Sequence, residues 1–421
     1  MNSNRYTAHM HTRHISPLLD DALADTPVVL LNGARQTGKS TLAQSLSASH
    51  GFRYLTLDDR AVLSAARDDP EGFIASQTSP VILDEIQRAP DIFLPIKAAV
   101  DRNRTPGRFL LTGSANVLLL PSLADSLAGR MEILSLWPLS SAELADSANF
   151  NRADWLFDGT IDALTVPPCD RESFSQTLLA GGFPEAASRT TQQRRVAWFD
   201  SYLDAILQRD VRDLAHLEQL TELPNLLQLL AARSSGLLNF AELSRSCRLP
   251  QTTLKRYFTL LETLFLLVRV PAWERNPSKR LVKAPKIFLP DSGLLAYFQE
   301  LSMERLKTEA GLPGNLVETF VLSELLKHIA FSKNRLRLFH YRTQNHIEVD
   351  FILENRLGKL TGIEVKSSNS VESKDFKGLR HLKETEPTLF QRGIILYTGR
   401  ELVPFDTDLW AVPLSMWWAK R

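Results

Sequence analysis

Eight consecutive residues, Gly33-Ala34-Arg35-Gln36-Thr37-Gly38-Lys39-Ser40, place two glycines, a lysine and a hydroxyl at the spacing G-x-x-x-x-G-K-S. At that spacing the glycines let the backbone curl so that its N–H groups converge on an anion. Lys39 then reaches the β and γ oxygens of a nucleotide, and the Ser40 hydroxyl ligates magnesium. Further along, Val81-Ile82-Leu83-Asp84-Glu85 is an apolar run that follows Pro80 and ends in two carboxylates. We assign Asp84 to the metal and Glu85 to the general base that polarises the attacking water. The nucleotide-binding set is Gly33 through Thr41, with Lys39 also catalytic, Ser40 and Asp84 on the metal, and ATP and Mg2+ as cofactors.

A second set of reactive side chains lies near the other end of the chain. Glu348-Val349-Asp350-Phe351-Ile352-Leu353 and Gly362-Ile363-Glu364-Val365-Lys366 both read as strands. A period of two puts Glu348 and Asp350 on one face and Glu364 and Lys366 on one face, with Val349, Phe351, Ile363 and Val365 filling the other. Two adjacent strands would then converge carboxylates and a lysine on a single side. Upstream, Glu318 sits in the first turns of a helix starting at Gly314, whose apolar residues Leu316, Phe320 and Leu325 belong to a core face.

The elements that must hold the phosphate-binding loop are legible around it. Pro27-Val28-Val29-Leu30-Leu31 is a buried strand feeding the loop, and Thr41-Leu42-Ala43-Gln44-Ser45-Leu46 continues with helical apolar spacing. A helix must open there, because its N-terminus supplies further donors and the favourable end of the dipole. Arg108 to Asn116 is a third strand, expected between the other two. Its polar end either senses the γ-phosphate through Ser114 or is an ordinary strand-to-loop turn. In Leu127-Ala128-Gly129-Arg130, Arg130 is either a solvated surface arginine or an arginine finger for a neighbouring subunit's site.

Composition bounds the rest. A chain of 421 residues favours two or three domains, and 49 Lys+Arg against 48 Asp+Glu leaves no global field, so any nucleic-acid patch must be local. Cys169 and Cys247 give neither metal spacing nor a disulfide framework, which suits a reducing cytoplasm. The N-terminal stretch lacks an apolar signal region, and no run approaches 18 apolar residues.

Residues 146–170 read as an irregular linker or insertion, and 171–235 as helical, a lid with a connecting bundle. Arg209-Asp210 in that stretch is an ion pair or a reach toward nucleotide. Residues 236–290 change character: a short helix from Asn239, a turn at Cys247-Arg248-Leu249-Pro250, and a second helix from Gln251 capped by the polar residues around 250–253. A strand over Leu264–Val270, a basic turn at 275–283 and a strand at Lys286–Leu289 follow. That order describes a winged helix-turn-helix, in which the second helix enters the major groove of DNA and the wing contacts phosphate. Arg245, Arg248, Lys255, Arg256, Lys279, Arg280 and Lys283 would supply the positive charge. Such modules also bind proteins.

The set GARQTGKS, VILDEIQ, FLLTGSAN and SLAGRMEILSLWPLSSAEL, with AGGFPEA at 180–186 and YLDAILQRDV at 202–211, resembles prokaryotic AAA-superfamily ATPases that carry an uncharacterised C-terminal region. In that family the Gly181–Glu185 stretch follows the ATPase core, which implies a lid or linker position. The acid, spacer, acid-x-lysine pattern resembles PD-(D/E)xK restriction-endonuclease-like nucleases, although the first acid lies in EVDF and not in a Pro-Asp pair. That resemblance implies magnesium on Asp350 and Glu364, a shell completed by Glu318, and Lys366 stabilising charge or activating water. The same fold used only for binding, with a structural salt-bridge cluster, is the alternative.

The expected fold is α/β: a P-loop AAA-type ATPase core with a parallel sheet (14–145), a linker and helical lid (146–235), a winged helix-turn-helix (236–295) and a restriction-endonuclease-like α/β domain (300–421). The expected function is Mg-dependent ATP hydrolysis coupled to work on DNA, with C-terminal nuclease activity as a second possibility. It would be carried out by a cytoplasmic homo-oligomer, a hexamer being one form. The alternative is an ATP-dependent switch whose C-terminal modules bind a protein partner.

Overall fold

The computed structural model describes residues 11–78, 80–115, 127–161, 165–168, 170–211, 222–308 and 311–419. Five short strands build the first sheet: β1 (Val28–Asn32), β2 (Arg53–Thr56), β3 (Val81–Asp84), β4 (Phe109–Gly113) and β5 (Met131–Ser135), in the order β2-β3-β4-β1-β5. All neighbours are parallel, with Val28 opposite both Phe109 and Met131. Parallel strands covered on both faces need apolar side chains at every position, and β1, β3 and β4 are buried throughout. Val28, Leu30, Val81, Leu83, Phe109 and Leu111 pack with Phe93, Ile96 and Val100. Val29, Leu31, Ile82 and Leu110 pack on the opposite side with Leu42 and Leu46. Helix α1 (Lys39–His50) therefore lies on one face and α2 (Phe93–Arg102) on the other.

Residues 146–170 are not simply irregular. Arg152–Asp158 is a helix, N-capped by Asn151, with Trp155, Leu156 and Phe157 buried. Arg152 is fully buried and donates to the carbonyls of Met416 (2.9 Å) and Ala419 (2.6 Å), which binds this segment to the end of the chain. Its polar residues hid this, because Asn151 and Arg152 satisfy backbone carbonyls far along the chain. Helix α3 (Arg171–Ala180) and helices over Gln192–Ala205 and Leu223–Ala232 follow as the apolar spacing predicts.

The region 236–290 contains α4 (Phe240–Cys247), α5 (Gln251–Thr263) and the antiparallel pair β6 (Val268–Val270) and β7 (Lys286–Phe288). Asn239 caps α4 by accepting from the amides of Ala241 and Glu242, and Arg248 turns the chain with φ of 55°. Two expectations fail. The N-cap of α5 is Pro250, and no polar side chain caps that helix. The strand expected from Leu264 begins only at Val268, because the helix runs to Thr263 and Phe265 reverses the chain with φ of 56°.

The C-terminal sheet comprises β8 (Arg337–Arg342), β9 (Glu348–Glu354), β10 (Leu360–Lys366), β11 (Phe390–Tyr397), β12 (Val403–Asp406) and β13 (Leu409–Pro413), ordered β12-β13-β11-β10-β9-β8. β10, β11 and β13 are parallel, and β8 and β9 run antiparallel. Helix α6 (Gly314–Ile329) covers one face through Leu316, Val317, Phe320 and Val321, packed with Phe351, Leu353, Ile363 and Val365. Helix α7 (Lys377–Thr385) covers the other through Leu379 and Leu382, packed with Val349, Ile352 and Ile395.

Val349 and Phe351 thus lie on opposite faces, contrary to the period-two reading. Phe339 pairs with Ile352 while Tyr341 pairs with Val349, so Asp350 and Phe351 together oppose His340. This is a β-bulge, which breaks the alternation and re-aims the side chain it carries.

Candidate functional site

The loop between β1 and α1 has the geometry of an anion cradle. Gly38 takes φ of 93°, a left-handed conformation that glycine adopts without cost, and it sits at the N-cap of α1. Among the described residues no side chain caps this helix, and its first turn holds no acid. The amides of that turn are therefore open to a phosphate, and the dipole favours one. The Lys39 ammonium is buried and donates to the carbonyls of Gly33 (2.9 Å) and Ala34 (2.7 Å), groups from which a phosphate can take it over.

Oxygen atoms gather around Asp84, the residue assigned to the metal from the sequence. The Ser40 hydroxyl stands 3.1 Å from both oxygens of Asp84. Asp84 also accepts from the Tyr54 hydroxyl at 2.6 Å and from the Thr112 hydroxyl. Burial and the Asp84 carboxylate push the Tyr54 phenol well above its usual range, so it stays a donor. The side chains of Ser40 and Asp84 offer hard oxygen donors, which suit magnesium.

Glu85 has φ of 60°, rare for a non-glycine residue. Its amide donates to the Thr112 hydroxyl (3.2 Å), and its carboxylate accepts from Ser114 (3.1 Å) and from the Gln87 side-chain amide. Gln87 also donates to Ser114 at 2.8 Å. Strand order explains the grouping: β4 lies between β1 and β3, which delivers Thr112 and Ser114 to both the loop and the acids. Asn116, quoted with this strand, lies outside the described residues.

Arg130 stands elsewhere. It precedes Met131, the residue of β5 opposite Val28 at the start of β1, so it lies at the edge of the sheet away from the loop. It is paired with Asp101 at 2.5 and 3.1 Å. The side chains of Arg209 and Asp210, and all of Cys169, lie outside the described residues.

Residues not singled out from the sequence complete the surroundings. Arg13 donates to the carbonyls of Thr37 (2.6 Å) and Trp137 (2.7 Å) and to Glu143 (3.0 Å), bracing the loop against the chain leaving β5. Beyond it, buried Glu324 on α6 accepts from the Ser141 amide (3.1 Å) and pairs with Lys327 (2.9 Å). The Gly181-Gly182 pair, part of the Gly181–Glu185 stretch already marked in the sequence, also falls here. A Cβ on Gly181 would meet Asp291 Oδ1 at 2.1 Å, and one on Gly182 would meet the Leu139 carbonyl at 2.3 Å. The glycines serve close approach at the junction of the two sheets, which no local pattern could reveal.

The second cluster forms where the bulge turns Asp350. Its Oδ2 accepts from the Val365 amide (2.9 Å), and its Oδ1 lies 2.8 Å from the ammonium of Lys286 on β7. Lys286 is buried and also reaches Glu318 at 3.5 Å. Glu364 pairs with Lys366 at 3.2 Å through Oε1, while its Oε2 is buried with no partner. Burial, with Asp350 adding to it, pushes the Glu318 carboxyl up to about 7 and that of Glu364 up to about 8. Burial pulls the Lys286 ammonium down, but Asp350 and Glu318 outweigh it and hold it above its usual range. The four residues expected from the sequence are thus brought together around a fifth, Lys286. Among the described residues no group of three or more His, Cys, Asp or Glu is arranged to hold a metal ion. With Lys286 seated, the cluster does not fit the magnesium that the nuclease resemblance implies.

The basic surface divides as well. Arg245, Arg248, Lys255, Arg256 and Lys279 are exposed. Arg280 is not a free wing residue: it grips both oxygens of Glu354 (3.0 and 2.9 Å) and lies over the rings of Trp273 and Phe339. Lys283 pairs with Glu274 and donates to the Arg342 carbonyl at 3.1 Å.

Comparison with known proteins agrees with the first site. Residues 25–145 match the family described as an AAA domain, which supports an AAA-type P-loop ATPase that binds and hydrolyses ATP. Residues 171–305 and 313–417 match two families described as domains of unknown function, DUF8612 and DUF4143. The chain belongs to the same family as an uncharacterised protein of Mycobacterium tuberculosis, 31% identical over 405 residues that span 95% of this chain and 83% of that one. A relative in Methanocaldococcus jannaschii is 21% identical over 412 residues, 94% of this chain and 88% of its own. Among solved structures, a Walker-type ATPase of Pyrococcus abyssi aligns over 71% of this chain and 99% of its own at 15% identity, with a TM-score of 0.39. The Thermotoga maritima RuvB Holliday junction branch migration motor aligns over 61% and 89% at 21% identity, with a TM-score of 0.31. No helix among the described residues is long and apolar enough to cross a membrane.

Proposed function

We propose that this chain is a magnesium-dependent ATPase that remodels or processes duplex or branched DNA as a cytoplasmic homo-oligomer. The observation that carries the reading is the Ser40 hydroxyl set 3.1 Å from both oxygens of Asp84, beside an uncapped helix N-terminus. In it, Gly33–Thr41 hold the phosphates, Ser40 and Asp84 take the magnesium ion, and Glu85 polarises water while Ser114 and Gln87 orient its carboxylate. Magnesium, when bound, neutralises charge developing on the transferred phosphoryl group. Because Arg130 stands away from its own subunit's loop, its proposed use is as a finger in a neighbour's site, which requires release from Asp101.

DNA contact rests on the exposed face of α5, where Lys255 and Arg256 lie with Arg245 and Arg248 of the preceding helix and turn, and on Lys279. The region 236–295 then acts as a winged helix whose second helix is the reader. The alternative, a nucleotide-governed switch that holds a protein partner, is favoured by one observation: Leu281 and Val282, in the β6–β7 connection, are 89% and 84% exposed. ATP turnover across single-stranded, duplex and branched DNA decides between them. Stimulation that fades between roughly 50 and 200 mM salt supports the first reading, since phosphate contacts release counterions. Turnover indifferent to every nucleic acid would sink it. Cleavage by the C-terminal cluster is outside the proposal, because Lys286 stands among its acids.

A further inference from the structure

The bulge turns Asp350 toward a cation that the chain supplies from a different element. Lys286 belongs to β7, the second strand of the hairpin that follows the helix-turn-helix, whereas its partners belong to α6 and β9. Its ammonium lies 2.8 Å from Asp350 and 3.5 Å from Glu318, and its side chain is 8% exposed. Glu364, the remaining acid, keeps one buried oxygen without a partner, although Lys366 holds the other. The cluster therefore presents two acids already bridged by an ammonium and a third with one buried oxygen that has no hydrogen-bond partner. An ammonium and a hard divalent cation ask for the same oxygens, so the two compete.

We infer that Lys286 is the resident cation of this cluster, a plug carried by the hairpin, and that Glu318, Asp350 and Glu364 take no divalent metal while its ammonium is in place. The plug joins the proposed DNA-contacting module to the C-terminal sheet. Arg280 on Glu354 is a second tie between the same two parts.

The experiment is Mn2+ binding to the full-length, nucleotide-free chain, read by electron paramagnetic resonance of the free ion and by calorimetry. The variants are Lys286→Met, which keeps the apolar stem and removes the charge, and Lys286→Met with Asp350→Asn. The expected result is a Mn2+ site in Lys286→Met at least ten-fold tighter than any in the parent, and lost in the double variant. A parent chain that already binds Mn2+ in an Asp350-dependent manner overturns the inference, as does a folded Lys286→Met that binds no more than the parent. Should the variants fail to fold, amine acylation of the parent followed by mass spectrometry still decides. Lys286 should react at least ten-fold more slowly than exposed Lys279, and equal rates would show that the plug is not seated.

Discussion

Asp84 and Asp350 are both carboxylates on the strands of an α/β layer, each drawn into a cluster with other polar side chains, yet their surroundings differ in one respect. Asp84 is held by three neutral hydroxyls, those of Ser40, Tyr54 and Thr112. These donors orient the carboxylate, and the proposed magnesium ion would share it. Asp350 is met by the Lys286 ammonium, so its charge is already balanced inside the protein. Under the proposed function the two sites would have opposite relations to metal, with partner charge, more than acid count, deciding whether a cluster is open. A lysine sits near the first site too, and Lys39 donates to the carbonyls of Gly33 and Ala34.

This contrast can be broken at either end. The largest effect is expected for Asp84→Asn, which removes the charge that the hydroxyls orient: ATP turnover should fall by about a thousand-fold or more, measured at saturating ATP and Mg2+. A residual rate within ten-fold of the parent would mean that the ion is held elsewhere. Next is Lys286→Met, which strands a buried carboxylate and should lower unfolding stability by about 3–5 kcal/mol in denaturant titrations. Adding Asp350→Asn should recover much of that loss, whereas a matching substitution of Tyr54 has no charge to strand.

A smaller effect concerns pH. The folded-state values of Glu318 and Glu364, raised to about 7 and about 8 from 4.5, mean that the folded protein holds more protons than the unfolded chain in that window. Stability from this source is fully present below about 4.5 and is lost as pH rises toward 8. Glu364→Gln should flatten that decline in melting temperature; an unchanged slope would count against the buried third acid. Smallest is Tyr54→Phe, which deletes one neutral donor to Asp84 and should slow turnover only several-fold, equivalent to about 1 kcal/mol.

Much of the first sheet was readable because its signals are local. The apolar strands, the glycine spacing and the acid at the end of Val81–Asp84 are each contained within a few consecutive residues. Gln87 and Tyr54 were not readable, since a glutamine after a strand and a half-buried tyrosine carry no distinctive pattern. In the second half, Glu318, Asp350, Glu364 and Lys366 could be picked out as a set. The face of Phe351 was misjudged, because a bulge inserts one residue and inverts the alternation beyond it. The basic turn was also overread: composition cannot distinguish Arg280, committed to Glu354, from Lys279, which faces water.

The sequence by itself determined the glycine, lysine and hydroxyl spacing of a phosphate-binding loop and the strand and helix that flank it, because that chemistry demands contiguous backbone and fixed offsets. The tertiary structure alone decided which cation occupies the acid cluster. Lys286 and Asp350 are separated by 64 positions and lie on strands of different sheets, so only the packing of the hairpin against α6 and β9 brings ammonium to carboxylate. Close approach of Gly182 to Leu139, and of Arg13 to the loop carbonyl, was settled in the same way. Charge pairing and steric clearance act through space, and the sequence records only order along the chain.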